Sequence, residues 1–364
     1  MPRRGSKKSR TKSAIDIKAV DLFCGAGGLT RGLEATGIDV RFGVDVDPHC
    51  AFPYAANNEA EFRLKSVEDL QAKEIKKAFK GGGYSLIAGC APCQPFSTYQ
   101  REKRGSKDER WRLLKHFGRL VDECAPDLVT MENVPGLERE FVFKGFVRTL
   151  RKAGYFVSHS VVNCMDYGVP QHRNRLVLLA SKLGPIELIA PTTPDHKAKT
   201  VREKIAALPA LKAGEVDPND PMHHACELSP LNLKRIRASK PGGTWRDWKP
   251  ELVADCHQKV SGKSYPSVYG RMSWDEPSPT MTTQYYGFGN GRFGHPEQHR
   301  AISLREGALL QSFPRAYKFV PRGEPIYTKT IGRLIGNAVP VDLGKAIGRS
   351  IIRHVKAVER SEAA

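Results

Sequence analysis

The 364-residue chain has no stretch of eighteen or more apolar residues, so nothing in it reads as a membrane-spanning helix. No charged leader runs into an apolar segment, and secretion has no support either. Cysteine is sparse and scattered: eight thiols stand at 24, 50, 90, 93, 124, 164, 226 and 256. That spacing excludes the dense disulfide framework of small secreted domains and fits reduced thiols in a cytoplasmic setting. Cys90 and Cys93 have no second C-x-x-C to complete four zinc ligands, so no metal is expected. Beyond the first 13 residues there is no low-complexity tract, and no internal repeat occurs.

Acidic residues are also in short supply. Asp and Glu number 39 against 58 Lys and Arg, a net charge of +19. Arg3, Arg4, Lys7, Lys8, Arg10 and Lys12 make residues 1–13 a basic arm that reads as disordered. Removing those six cations leaves 52 basic against 39 acidic side chains, so the excess extends through the folded part. A polyanion partner follows, with nucleic acid the leading class.

What is present is an alternation. Apolar runs at 17–23, 40–46, 85–88, 128–131 and 175–180 read as buried strands, with helical patterns such as 29–35 and 111–123 between them. Strands alternating with helices predict an α/β fold with a mostly parallel sheet. The chain divides into a catalytic and cofactor-binding domain over 14–188, a less regular domain over 189–299, and a C-terminal part over 300–364 that completes the first. The middle region is rich in Pro, Gly and basic residues with tryptophan and tyrosine interspersed. A helical pattern returns near 303–312, and an amphipathic helix is expected over 341–358.

The unusual residues fall at strand ends, where ligands bind in open α/β sheets. Asp21-Leu22-Phe23-Cys24-Gly25-Ala26-Gly27-Gly28 is a glycine turn between a strand and a helix, which lets backbone approach a ligand. Asp45, twenty residues past Gly25, suits ribose hydroxyls. The spacing is not a strict G-x-G-x-x-G, so it indicates a nucleotide-like cofactor and no more, with a purely structural turn as the alternative. Gly89-Cys90-Ala91-Pro92-Cys93-Gln94-Pro95-Phe96-Ser97 is either a redox pair or a rigid turn presenting one thiol to a cleft. Met131-Glu132-Asn133-Val134-Pro135 places a carboxyl at the end of a buried strand, costly without a partner or a task. In Gln171-His172-Arg173-Asn174-Arg175, arginines alternate into a strand and project to one face.

Together these segments resemble the cytosine-C5 DNA methyltransferase family of the bacterial or phage restriction-modification type. Two further blocks, Arg305-Glu306-Gly307-Ala308-Leu309-Leu310-Gln311-Ser312-Phe313-Pro314 and Gly336-Asn337-Ala338-Val339-Pro340, complete six in family order. The resemblance implies a Rossmann-like S-adenosylmethionine-dependent fold with a smaller, irregular target-recognition domain. It implies methyl transfer to carbon 5 of a flipped-out cytosine through a covalent bond between Cys93 and carbon 6. Glu132 would serve the base N3, Arg175 the base O2, and Arg173 would brace Glu132 and the closed catalytic loop. S-adenosylmethionine, released as S-adenosylhomocysteine, would be held by Phe23, Gly25, Gly27, Gly28, Leu29, Asp45, Val46, Ser66, Val67, Pro92, Asn337 and Val339. Ser66 stands where the family commonly carries an aspartate. Cys90 stands where it usually has a glycine or similar small residue, and is read as a bystander.

Gln94, Ser97, Arg101, Lys234, Arg235, Arg237 and Arg246 are the candidate DNA contacts, with Trp245 an aromatic candidate that is at least as well explained as core. The implied partners are duplex DNA and a cognate restriction endonuclease, with the enzyme a monomer near the nucleoid. A tRNA substrate and a silent DNA-binding homologue are the alternatives. The first lacks its usual Cys-Phe-Thr tripeptide here, and the intact Cys93, Glu132, Arg173 and Arg175 speak against the second.

Overall fold

The computed structural model describes residues 15–92, 107–194 and 197–364. Seven strands form one sheet: β1 (Ile17–Leu22), β2 (Asp39–Asp45), β3 (Glu61–Leu64), β4 (Tyr84–Gly89), β5 (Leu128–Asn133), β6 (Phe156–Asn163) and β7 (Asn174–Ser181). Their order is β3-β2-β1-β4-β5-β7-β6, parallel except that β7 runs against both its neighbours. The order reverses between β1 and β4, so a crevice opens at the carboxyl ends of those two strands. The glycine turn follows one of them and the C-x-x-C segment the other.

The central strands read as continuous apolar runs because helices cover both faces. Along the chain come α1 (Gly28–Glu34), α2 (Ala51–Asn57), α3 (Ala72–Ala78), α4 (Lys107–Cys124) and α5 (Phe141–Lys152). Val20 and Leu22 of β1 pack with Ile75 of α3, Phe117 of α4 and Phe146 of α5. Ile17 and Ala19 point the other way, into a cluster with Leu29 and Leu33 of α1. The two-residue alternation of a strand divides each side chain between these layers.

Beyond the sheet lie α6 (Val201–Ile205), a short hairpin of β8 (Val216–Asp217) and β9 (Asp220–His224), α7 (Pro230–Ala238) and α8 (Asp255–Gln258). Then come α9 (Leu304–Leu310), α10 (Thr328–Asn337) and α11 (Val341–Glu362). Met222, Met272, Met281, Tyr285 and Phe293 share one hydrophobic cluster with Leu304 and Leu310 of α9 and Ile331 and Ile335 of α10. Hydrophobic packing therefore carries the irregular lobe past residue 299 as far as α10. Only α11 returns to the sheet, where Leu343, Ile347, Ile351 and Val355 cover α1 and the strands beneath it. A smaller cluster of Ile236, Trp245, Trp248 and Phe288 caps the far side of the lobe.

Two buried ionic groups stiffen this second lobe. Glu306, on α9, takes both ends of the Arg300 guanidinium at 2.7 and 2.8 Å, and it closes a capping box with Ser303. Burial pushes the Glu306 carboxyl up, but the Arg300 bonds and charge outweigh it and bring it down to about 2. Arg305 forks onto Asp220 of β9 at 2.6 and 3.1 Å. Among the described residues, no helix is long and apolar enough to cross a membrane.

Candidate active site

After β1 the chain reverses through three left-handed residues, Phe23 (φ 59°), Gly25 (φ 53°) and Gly27 (φ 88°), before α1 begins. Two neighbouring glycines serve different ends. A Cβ on Gly28 would stand 2.2 Å from the carbonyl oxygen of Val339, so this glycine lets the segment before α11 pack against the turn. A Cβ on Gly25 would meet nothing within 4 Å. That is open room, of the kind a ligand occupies.

Asp45, at the end of β2, braces the turn. Its Oδ2 accepts from the Gly25 amide at 2.9 Å and its Oδ1 from the Asp47 amide at 3.0 Å. Burial raises its carboxyl above the ordinary range, and these amide bonds work against the shift. Asp47 in turn pairs with Arg333 of α10 at 2.7 Å, a link from the second lobe to the segment after β2 that sequence reading did not find. Val46 is 65% exposed beside this space, a position suited to packing a planar ring. Pro92 and Asn337 are exposed, and Ser66 is half-buried with its hydroxyl accepting from the Glu68 amide at 3.2 Å.

Leu29 and Val67 bury their side chains in the hydrophobic layers of the sheet, so any contact with a cofactor would be through their backbone. Two of the turn's amides are also committed: that of Gly25 to Asp45, and that of Gly27 to the Cys24 carbonyl at 2.9 Å.

Under the same turn lies Asp21, fully buried, with Oδ2 accepting from the Thr30 hydroxyl at 2.6 Å and Oδ1 without a partner. Desolvation raises its carboxyl from 3.8 to about 7, against the Thr30 bond. In the unfolded chain it ionises above 3.8, so folding loses stability as pH climbs from there through 7. Asp21→Asn copies the neutral form. Its stability relative to the parent should therefore grow between pH 5 and pH 8, by a span on the order of 3 kcal/mol at most. Denaturant titrations at both pH values measure that difference, and an unchanged difference would refute the assignment.

At the other side of the crevice, Glu132 closes β5 and is 3% exposed. Its Oε1 pairs with Nε of Arg175 on β7 at 2.8 Å, and its Oε2 accepts from the Cys90 thiol at 3.0 Å. Asn133 donates its side-chain amide to the Ala91 carbonyl at 2.9 Å. The start of the C-x-x-C segment is thus docked on the end of β5 by two side-chain bonds. The parallel register that sets Gly89 beside Met131 brings residue 90 to Glu132. Cys93, Gln94, Ser97 and Arg101 lie outside the described residues.

Arg173, just before β7, lies near Glu132 and Arg175 but makes its direct hydrogen bonds elsewhere. Its buried guanidinium donates to the carbonyls of Met281 at 2.9 Å, Gly336 at 3.0 Å and Ala338 at 3.3 Å, and to the Gln171 side chain at 3.4 Å. Desolvation lowers it to about 9, with the Arg175 charge adding to the effect. It clamps the second lobe to the sheet; Glu132 is held by Arg175 and Cys90.

Among the proposed DNA contacts, Arg235 is buried, donating to the Leu252 carbonyl at 2.8 Å and lying over the ring of Tyr269. It is a packing residue because α7 turns that face inward. Trp245 also belongs to the small core, its indole N–H bonded to the Tyr265 carbonyl at 3.0 Å. Lys234, Arg237 and Arg246 remain exposed.

A parallel sheet with a glycine turn at one strand end and a buried Glu–Arg pair beside a cysteine segment at the next narrows the choice of family sharply. The family model for C-5 cytosine-specific DNA methylase matches residues 17–353. The chain belongs to that family. It is a DNA cytosine-5 methyltransferase, and its relatives are of the Type II kind. It is 50% identical over 347 residues to the Type II methylase M.HgiDII of Herpetosiphon aurantiacus, covering 94% of this chain and 97% of that one. Identity to Type II methyltransferase M.PspPI of a Psychrobacter strain is 31% over 350 residues, 94% of this chain and 80% of that one. In fold it is similar to a prophage-encoded protein of E. coli, with a TM-score of 0.71 at 22% identity over 94% and 100% of the two chains. The S. pombe Dnmt2 methyltransferase shares the fold with a TM-score of 0.63 at 17% identity over 94% and 99% of the two chains.

Proposed function

We propose that this methyltransferase moves the methyl group of S-adenosylmethionine to carbon 5 of a cytosine swung out of duplex DNA, with Cys93 as nucleophile. The observation that carries the site is the buried Glu132–Arg175 pair at the strand ends, docked to the segment that leads into Cys93. Burying an ion pair costs more than an apolar contact of the same size, so its place at the mouth of the crevice favours a task over a packing role.

Carbon 5 of cytosine is a weak nucleophile. A Cys93 thiolate adding to carbon 6 pushes electron density onto carbon 5. Charge then develops on the ring, and Glu132, once protonated, donates to N3 as that happens. Arg175 holds Glu132 in position through Nε, its Nη1 donates to the Asn174 carbonyl at 2.7 Å, and Nη2 serves the base O2. The cofactor supplies an electrophilic methyl group when bound, and loss of the carbon 5 proton to a base then expels the Cys93 thiolate from carbon 6 and restores the aromatic ring. The open space at Gly25 fits it, and Phe23, Asp45, Val46 and Asn337 would hold it there. Each Asp45 oxygen takes one amide and keeps a lone pair for a ribose hydroxyl. Lys234, Arg237 and Arg246 are basic side chains available to the DNA backbone, and the excess positive charge supports that partner. The Type II names of its relatives support a cognate restriction endonuclease acting on the same site.

The test is to incubate the protein with methyl-labelled S-adenosylmethionine and either mixed-sequence duplex DNA or tRNA. Label recovered as 5-methylcytosine in DNA supports the reading. Label in tRNA alone moves the substrate to RNA, and label in neither overturns the proposal.

A further inference from the structure

We infer that Cys90 is a positioning residue for Glu132, its thiol holding the carboxylate oxygen that Arg175 leaves. This rests on the assignment of Glu132 to the reaction. The two oxygens of Glu132 are divided between two elements: Oε1 faces Arg175 Nε at 2.8 Å and Oε2 faces Cys90 Sγ at 3.0 Å. Cys90 is itself fixed. Its amide donates to the Leu22 carbonyl at 3.2 Å, and the next carbonyl, that of Ala91, is pinned by Asn133. A side chain anchored on both flanks has little freedom to swing away, so the thiol restricts Glu132 to one orientation in the free enzyme.

The Cys90 thiol thus adds a bond to the carboxylate assigned to the base. The charged and titratable groups facing Glu132 are Arg175 and Arg173 from the β7 segment, Cys164 from the turn after β6, and Cys90 from the end of β4. Of these, Cys90 donates a hydrogen bond to it and Arg175 forms an ion pair with it. A carboxyl held from both sides meets the ring in one orientation, so the Cys90 bond acts on the rate of the chemical step.

The measurement is kcat beside the KM for DNA. Cys90→Gly and Cys90→Ala, which remove the donor, should lower kcat by about three- to ten-fold with KM within about two-fold of the parent, and Cys90→Ser, which restores a donor, should bring kcat back toward the parent. Cys93→Ser serves as the control for the underlying assignment: if it stays active, the proposed chemistry fails, whatever Cys90 does. If Cys93→Ser is dead and the Gly and Ala variants keep the parent kcat, Cys90 only fills space and this inference alone is wrong. A loss of kcat that serine does not rescue is equally a structural effect and overturns it.

Discussion

Cys93→Ser should reduce methyl transfer by about 10³-fold or more while leaving the binding of DNA and of S-adenosylhomocysteine within about two-fold of the parent. The change is close to isosteric, so the fold is not at stake. What is lost is the anion. A thiol gives a usable fraction of thiolate near neutral pH, whereas a serine hydroxyl does not ionise there without a dedicated base. Among the described residues near this segment the one carboxylate in direct contact is Glu132, and both its oxygens are engaged. Single-turnover transfer and equilibrium titration, run side by side, separate the chemical step from binding. The opposite pattern is equally informative. If Cys93→Ser transferred methyl groups and Cys90→Ser did not, the nucleophile would be the thiol that stands 3.0 Å from Glu132.

Much of this site was legible before any coordinates because its residues sit at strand ends, and the strands announce themselves. β1, β4 and β5 are covered on both faces, and so appear as unbroken apolar runs closing on Leu22, Gly89 and Asn133. β6 escaped notice for the converse reason. It is an edge strand paired only with β7, and its sequence Phe-Val-Ser-His-Ser-Val-Val-Asn is largely exposed. Contacts that cross the chain were not legible either. Nothing in the residues around Arg173 says that its partners are carbonyls more than 100 positions away, at Met281, Gly336 and Ala338. The same blindness put the lobe boundary at 299. The apolar pattern of α9 announces a helix but not which core it joins, and its leucines join Met281 and Tyr285. A comparison of residue types cannot show where a thiol points, and so did not show the contact of Cys90 with Glu132.

Arg173→Met should lower thermal stability by roughly 3–5 kcal/mol, the cost of breaking a buried hydrogen-bonded cation out of its set of carbonyls. Methionine keeps the length and most of the volume, so cavity formation adds little. The carbonyls of Met281, Gly336 and Ala338 lose a shared donor, and in a buried setting each carbonyl left without a partner costs about 1–3 kcal/mol. A second consequence reaches the cofactor. Ala338 precedes Val339, whose carbonyl packs on Gly28, and follows Asn337, so freeing this stretch loosens one wall of the cleft. The affinity for S-adenosylhomocysteine, measured by calorimetry, should therefore fall together with the unfolding midpoint. Arg173→Lys should recover only part of both, because an ammonium cannot fork across carbonyls from two segments. The alternative is that Arg173 acts on Glu132. In that case Arg173→Met would leave the midpoint and cofactor affinity near the parent values and reduce only the rate of transfer. The geometry favours the first outcome: the fork of Arg173 ends on main-chain carbonyls of the second lobe, whereas Glu132 already has Arg175 on one oxygen and Cys90 on the other.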